Sequence, residues 1–243
     1  MAETPPPPPP PTPPPPAPKP PRQPPGEVDK EVLADIKLGE DVTEAAQDPT
    51  HAADLAAKEQ IDAATVGKLV TLTKDARTLA GQAVTAKKAR NIATDTEEAA
   101  LKTLMRSLRD IQQRAKGKFT DKPKRATYCI NKTNFGRDRE GLEQDAKNII
   151  DLGEADALRG LTAEKITGAR AALTAWKDAD QEQGKAEENQ GKLLKQLGTK
   201  VDEVNAARRE IQLAADTCWP HTDSANAPTR RAFKIPANKP IAQ

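Results

Sequence analysis

Two histidines, two cysteines and 36 acidic side chains are the groups in this chain from which catalytic or metal chemistry would be built. A zinc site needs three or four ligands in one shell. Nucleophilic catalysis needs a base aligned on its nucleophile. His51 stands at an Ala-rich helix start and His221 follows the break at Pro220, so both read as capping or surface residues. The chain has no GxxxxGK[ST] loop, no GxGxxG after a strand, no HExxH and no Glu-x-x-His pair of the di-iron bundle type. The expectation is a protein that is not an enzyme, with no cofactor, no metal and no small-molecule substrate. Its Asp and Glu residues read as solvated helix faces paired with Lys and Arg about one turn away.

Cys129 and Cys218 have no CxxC partner. They fit either one disulfide, joining the middle loop to the end of the last helix, or two free buried thiols. Between Arg114 and Arg139 the chain is locally basic: Arg114, Lys116, Lys118, Lys122, Lys124, Arg125, Lys132, Arg137 and Arg139 stand against Asp121 and Asp138. Phe119, Tyr128 and Phe135 interleave these cations, a pattern that can hold nucleic acid through phosphates and stacking. The competing reading, a solvated loop balancing acidic helices, is preferred, so nucleic acid is not the expected partner. Asn131-Lys132-Thr133 fits a glycosylation sequon.

The strongest local signal is the N-terminal arm. From Pro5 to Pro25, sixteen of twenty-one residues are proline. Proline has no amide hydrogen and a fixed φ, which excludes helix and central strand and leaves polyproline II. At about 3.1 Å per residue such a rod reaches about 65 Å. Rods of this kind are spacers, or ligands for a groove on another surface. The residues expected to be gripped are Pro5, Pro6, Pro7, Pro8, Pro9, Pro10, Pro11, Pro13, Pro14, Pro15, Pro16, Pro18, Pro20 and Pro21. The few aromatics of the body, Trp176, Trp219, Phe233 and Tyr128, are the candidate groove.

The elements that must position these residues are helical. Aromatics are 2% of the chain, while Ala, Leu, Glu, Lys, Arg and Gln, the strong helix formers, are abundant. The reading by segment is an arm over 1–26, a short helix and connector over 27–49, a helical hairpin over 50–118, a basic loop and short helix over 119–160, a second hairpin over 161–219 and an extended docking tail over 220–243. In the first hairpin, Val66, Leu69, Val70, Thr73, Ala76, Leu79, Ala80, Ala83 and Val84 form one stripe. A turn is expected around Asn91–Asp95, with Glu97 and Glu98 in the first turn of a helix carrying Leu101, Leu104, Leu108 and Ile111. In the second, the polar run Asp178 to Gln190 with Gly184 and Gly191 marks a turn or a frayed crossover, before the seam Leu194, Leu197, Val201, Val204, Arg208, Ile211, Ala215 and Cys218. Leu101-Lys102-Thr103-Leu104 and Leu194-Lys195-Gln196-Leu197 suggest a weak internal copy offset by about 93 residues. The expected fold is all-α: an elongated four-helix bundle of two helical hairpins, with the arm at one terminus and the tail at the other.

The tail reads Cys218-Trp219-Pro220-His221, then Asn226-Ala227-Pro228, then Arg230-Arg231-Ala232-Phe233-Lys234-Ile235-Pro236. It resembles the C-terminus of a group of uncharacterised bacterial all-α helical-bundle proteins, and the resemblance covers roughly residues 60–240. It implies a bundle and no activity. The proline arm departs from that pattern.

Net charge is +2, from 38 basic and 36 acidic residues, so bulk charge points to neither nucleic acid nor membrane. No apolar run approaches the ~18 residues of a spanning helix, and Met1-Ala2-Glu3-Thr4 does not open a secretory signal. The default compartment is cytoplasmic, or extracellular as a cell-surface fibre if the arm builds an assembly. Three functions follow, in order. The first is a structural subunit whose arm docks head-to-tail into a neighbouring copy to build a filament or fibril. The second is a scaffold or adaptor whose arm binds another protein. The third is a nucleic-acid-binding bundle using the 114–139 patch.

Overall fold

Alanine-rich, proline-free stretches with aspartates at their starts fold here into helices. The computed structural model describes residues 28–130, 132, 135 and 139–241. The proline arm, most of the Asn131-Lys132-Thr133 sequon, Arg137 and Asp138 lie outside the described residues. Among the described residues the fold is all-helical, without strands. The helices are α1 (Lys30–Gln47), α2 (Pro49–Glu59), α3 (Ala63–Lys118), α4 (Lys122–Thr127), α5 (Arg139–Ala155), α6 (Ala163–Cys218) and α7 (Ala227–Ala232), with one 3-10 turn at Ser224–Asn226. Asp29, Asp48, Asp62 and Asp121 cap α1 to α4, accepting from the backbone N–H of Glu31, Thr50, Thr65 and Lys124 at 2.8–3.3 Å. Prolines occupy the first turn of α2, α4 and α7, where their missing N–H costs nothing.

The two expected hairpins are corrected. α3 and α6 are each 56 residues long and unbroken, about 84 Å at 1.5 Å per residue. The expected turns at 91–95 and 178–191 are helical. Contacts between α3 and α6 run in opposite chain directions: Thr94 to Gln183, Glu97 to Trp176, Asp110 to Lys165. The two predicted hairpins are thus one antiparallel pair. The polar residues that suggested turns are the middle of its seam, where Arg90 pairs with Glu187 at 3.4 Å and donates to Gln190 at 3.4 Å. Thr94 and Thr96 return their hydroxyls to the carbonyls of Arg90 and Ile92, staying helical despite being good cap residues.

Each end of the pair is thickened by further helices. At the first end α1 and α2 close over Leu69, Ala76, Val204 and Ile211 with Ile36, Val42 and Leu55. At the second end α5 and the turn after α4 close over Leu104, Leu108, Ile111 and Trp176 with Tyr128, Leu142, Ile149 and Ile150. Between the two cores, α3 contributes buried Ala83 and Ala86. The tail is also corrected: it is not extended throughout but carries the 3-10 turn and α7, and it seats Phe233 and Ile235 in the first core.

Gly39 sets how closely α1 approaches the pair. A Cβ there would stand 2.7 Å from Thr73 Cγ2 and 2.8 Å from Val204 Cγ1, both on stiff β-branched side chains. At Gly81, in the middle of α3, a Cβ meets nothing within 4 Å. Gly81→Ala is expected to stabilise the protein by about 1 kcal/mol through helix propensity. Gly39→Ala is expected to destabilise it by about 1–3 kcal/mol, overpacking outweighing the same propensity gain. Urea unfolding followed by circular dichroism compares the two.

Candidate functional site

Three local arrangements concentrate the polar chemistry of this fold. The first lies where the two-helix seam enters the second core. Glu97 is fully buried; its carboxylate accepts from the Trp176 indole N–H at 2.8 Å and pairs with Arg139 at 3.1 Å. Arg139 also reaches Asp180 at 2.8 Å and Gln183 at 3.0 Å, so the start of α5 is tied to both long helices. Glu97 therefore stands mid-helix rather than in a first turn. Its position seven residues before Leu104, on the same stripe, is the sequence signal for an inward-facing carboxylate.

The second arrangement surrounds Tyr128. Its hydroxyl donates to Asp156 at 2.7 Å, with the Leu152 carbonyl 2.9 Å away as alternate acceptor. Burial, then the Asp156 carboxylate, pushes the Tyr128 phenol well above its ordinary value. The same hydrogen bond, followed by Lys124, holds Asp156 below the usual carboxylate range. Phe119 stacks on Tyr128 at 6.1 Å, under the ammonium groups of Lys118 and Lys124. Phe119 and Tyr128, read as part of a stacking surface for bases, are thus engaged inside the fold. So are most of the neighbouring cations. Arg114 pairs with Asp110 and donates to the Arg159 carbonyl. Arg125 donates to the carbonyls of Phe119 and Lys116. Lys118 donates to the Asp156 carbonyl, Lys124 pairs with Asp156, and Lys132 pairs with Asp145.

The third arrangement binds the tail. Arg230 is fully buried and donates to the carbonyls of Trp219 (2.5 Å), Pro236 (2.7 Å) and Lys239 (2.9 Å). It pairs with Asp216 at 2.5 Å. Gln212 donates to the Phe233 carbonyl at 2.8 Å, and Lys234 pairs with Asp41 of α1 at 3.2 Å. The Trp219 and Phe233 rings stack at 5.3 Å, with His51 at 5.3 and 5.4 Å from them and its Nδ1 2.9 Å from the Ala45 carbonyl. His51 is a packed member of this cluster rather than a cap or surface residue.

The four aromatics read as a groove are therefore placed otherwise. Tyr128 and Phe233 are 0% exposed, Trp176 2% and Trp219 8%. They divide between the two cores, Tyr128 and Trp176 in one, Trp219 and Phe233 in the other. The cysteines divide in the same way, Cys218 buried in the first core and Cys129 packed against the second, and both are free thiols. Burial raises both thiols above their ordinary value, so neither is a thiolate at neutral pH. Among the described residues, no group of three or more His, Cys, Asp or Glu side chains is gathered as a metal requires. No described helix is long and apolar enough to cross a membrane.

What the first end does offer is an apolar notch. Ala46, Ala52, Leu55, Ala56, Ile61 and Val66, from α1, α2 and the start of α3, line a cavity of about 360 Å³. It forms because α2 ends at Gln60, a left-handed residue (φ 57°), and the chain then turns through Ile61 to the Asp62 cap of α3. No protein family, curated protein or solved structure matches the chain.

Two outcomes test these arrangements. Arg230→Lys keeps the charge but cannot span three carbonyls, so a loss of at least about 2 kcal/mol is expected in urea unfolding. Tyr128→Phe is expected to cost about 1 kcal/mol at pH 8. A phenol raised in the folded state adds stability that is full below the unfolded value, about pH 10, and is lost as pH rises above it. The gap between the parent protein and Tyr128→Phe should therefore close above about pH 10, read from unfolding curves at a series of pH values.

Proposed function

We propose that this chain is a structural subunit that assembles head-to-tail with other copies of itself, the proline arm of one copy lying in the apolar notch of the next. The observation that carries the reading is the notch. Its floor is the buried Ala46, Leu55, Ile61 and Val66 and its rim carries Ala52, Ala56, Gln47 and Asp62, a mostly apolar recess of the type on which an already extended rod docks at little entropic cost. The block formed by α1, α2 and the adjoining ends of α3 and α6 is the four-helix element that receives the arm. The groove moves from the buried aromatics to this block.

Length supports a contact between copies. The last arm proline, Pro25, lies three residues before Val28, which packs on the first core beside the start of α1. α1, 18 residues or about 27 Å, separates that point from the notch. The arm's reach of about 65 Å exceeds this more than twofold, enough to meet a neighbour. An arm-to-notch contact joins unlike surfaces, so its repetition gives an open filament or fibril, or a ring where the rotation closes. A fibre of this kind at a cell surface is the setting the assembly reading implies.

Negative-stain microscopy and size-exclusion chromatography test it. The intact chain is expected to form assemblies, and deletion of residues 1–25 to leave monomers. Ala56→Glu, at the exposed mouth of the notch, is expected to do the same with the arm intact. Mixing the two variants should give a one-to-one complex that grows no further, because one brings only a notch and the other only an arm. Assemblies that persist after the deletion would sink the proposal. A chain that is monomeric with and without its arm would instead favour the adaptor, its arm recognised by a different protein.

A further inference from the structure

Helical periodicity, rather than proximity in sequence, gathers a line of cations on one face of α3. Lys102, Arg106, Arg109, Gln113 and Lys116 follow one another at intervals of four, three, four and three. At about 100° per residue they share one face of α3, along about 21 Å of rise. All five side chains are exposed, while Leu104, Leu108, Ile111 and Ala115 on the opposite face are buried in the second core. Among the described residues no carboxylate pairs with any of the four cations. The neighbouring Asp110 is already engaged by Arg114 and Lys165. This contrasts with the basic stretch that follows, whose cations are largely consumed inside the fold.

Between these exposed side chains, Lys102, Arg106, Arg109, Asp110 and Gln113 border an open recess on the surface of α3. A second, of about 250 Å³, shares Arg109 and Gln113 and continues to Gln112, Lys116 and the half-buried Phe135.

We propose that this face of α3 binds single-stranded nucleic acid, its four cations on successive phosphates and Phe135 beside a base. A single line of cations along one helix face complements a linear polyanion, whereas a bilayer presents a plane of charge. α3 also turns its large apolar residues inward at this level, leaving nothing to insert among lipids. An acidic peptide would satisfy the cations, but the cavity that combines Arg109, two glutamine amides and an aromatic ring suits a base and its sugar better. The inference is independent of the notch, which lies on the other core.

The test is fluorescence anisotropy with labelled oligo-dT and oligo-U of about fifteen nucleotides. Affinity is expected to fall with salt with a log–log slope near −3, about −0.7 for each of four phosphates. K102Q/R106Q/R109Q/K116Q alters only exposed side chains, and its fold is checked by circular dichroism. It should abolish the salt-dependent binding. Arg109→Gln alone should make the slope shallower by about 0.7. Phe135→Ala should weaken binding several-fold at unchanged slope. A control triple variant, K185Q/K192Q/K200Q, removes paired cations of α6 and should bind as the parent does. Equal binding by the parent and the quadruple variant overturns the proposal, as does an unchanged slope for Arg109→Gln or an equal loss in the control. Failure to bind either oligonucleotide also overturns it, including when the protein sediments with phosphatidylserine vesicles or binds polyglutamate.

Discussion

The antiparallel pairing of α3 with α6 is the constraint on which everything else in this protein rests. Two helices can bury only the stripe each turns to the other. A pair about 84 Å long leaves the rest of both surfaces in water. Alanine fits that geometry where the pair is alone, because small side chains let the axes approach: Ala83 and Ala86 are buried there. Larger residues need more cover. Wherever Leu, Ile or Trp occupies the seam, another helix has been recruited over it: α1 and α2 at one end, α5 at the other. The chain therefore folds into two cores joined by a slender polar middle.

Each core is fixed by one buried charge with a complete set of partners. Glu97 holds the Trp176 indole and Arg139, so α5 can meet the long pair in only one register. Arg230 gathers the carbonyls of Trp219, Pro236 and Lys239 and the carboxylate of Asp216, converting an irregular tail into part of the first core. Buried ions of this kind contribute little net stability, since desolvation offsets their attraction, but removing one partner is costly. Their role here is positional. They decide where the short elements sit on a pair that would otherwise let them slide.

That division of labour shapes the functional readings. The described aromatic residues are drawn into the two cores or their margins, so the surfaces proposed to meet partners are a mostly aliphatic notch at one end and a cationic helix face at the other. The notch is walled in part by residues of the first core itself, the cationic face by residues turned away from the second. The notch exists because α2 must end and α3 must begin beside α1. The cations stand free because they lie on the side of α3 opposite Leu104 and Leu108.

Composition and periodicity determined the helical class, the stripes of α3 and α6, and the stop at Pro220. All of these are local: they depend on side chains a turn or two apart on one helix. Tertiary structure decided what the polar interruptions meant. Asn91–Asp95 and Asp178–Gln190 look alike as turns or as the wet middle of a seam, because a helix taken singly gives no reason to choose. The choice is made when Arg90 finds Glu187 and Thr94 finds Gln183 across the pair. The same holds for the candidate site residues. Sequence marked Trp176, Trp219, Phe233 and Tyr128 as the rare groups worth watching, but an aromatic ring reads the same whether it lines a groove or fills a core. Only the packing of helices distant in the chain shows which, since burial is a property of neighbours that sequence spacing does not carry.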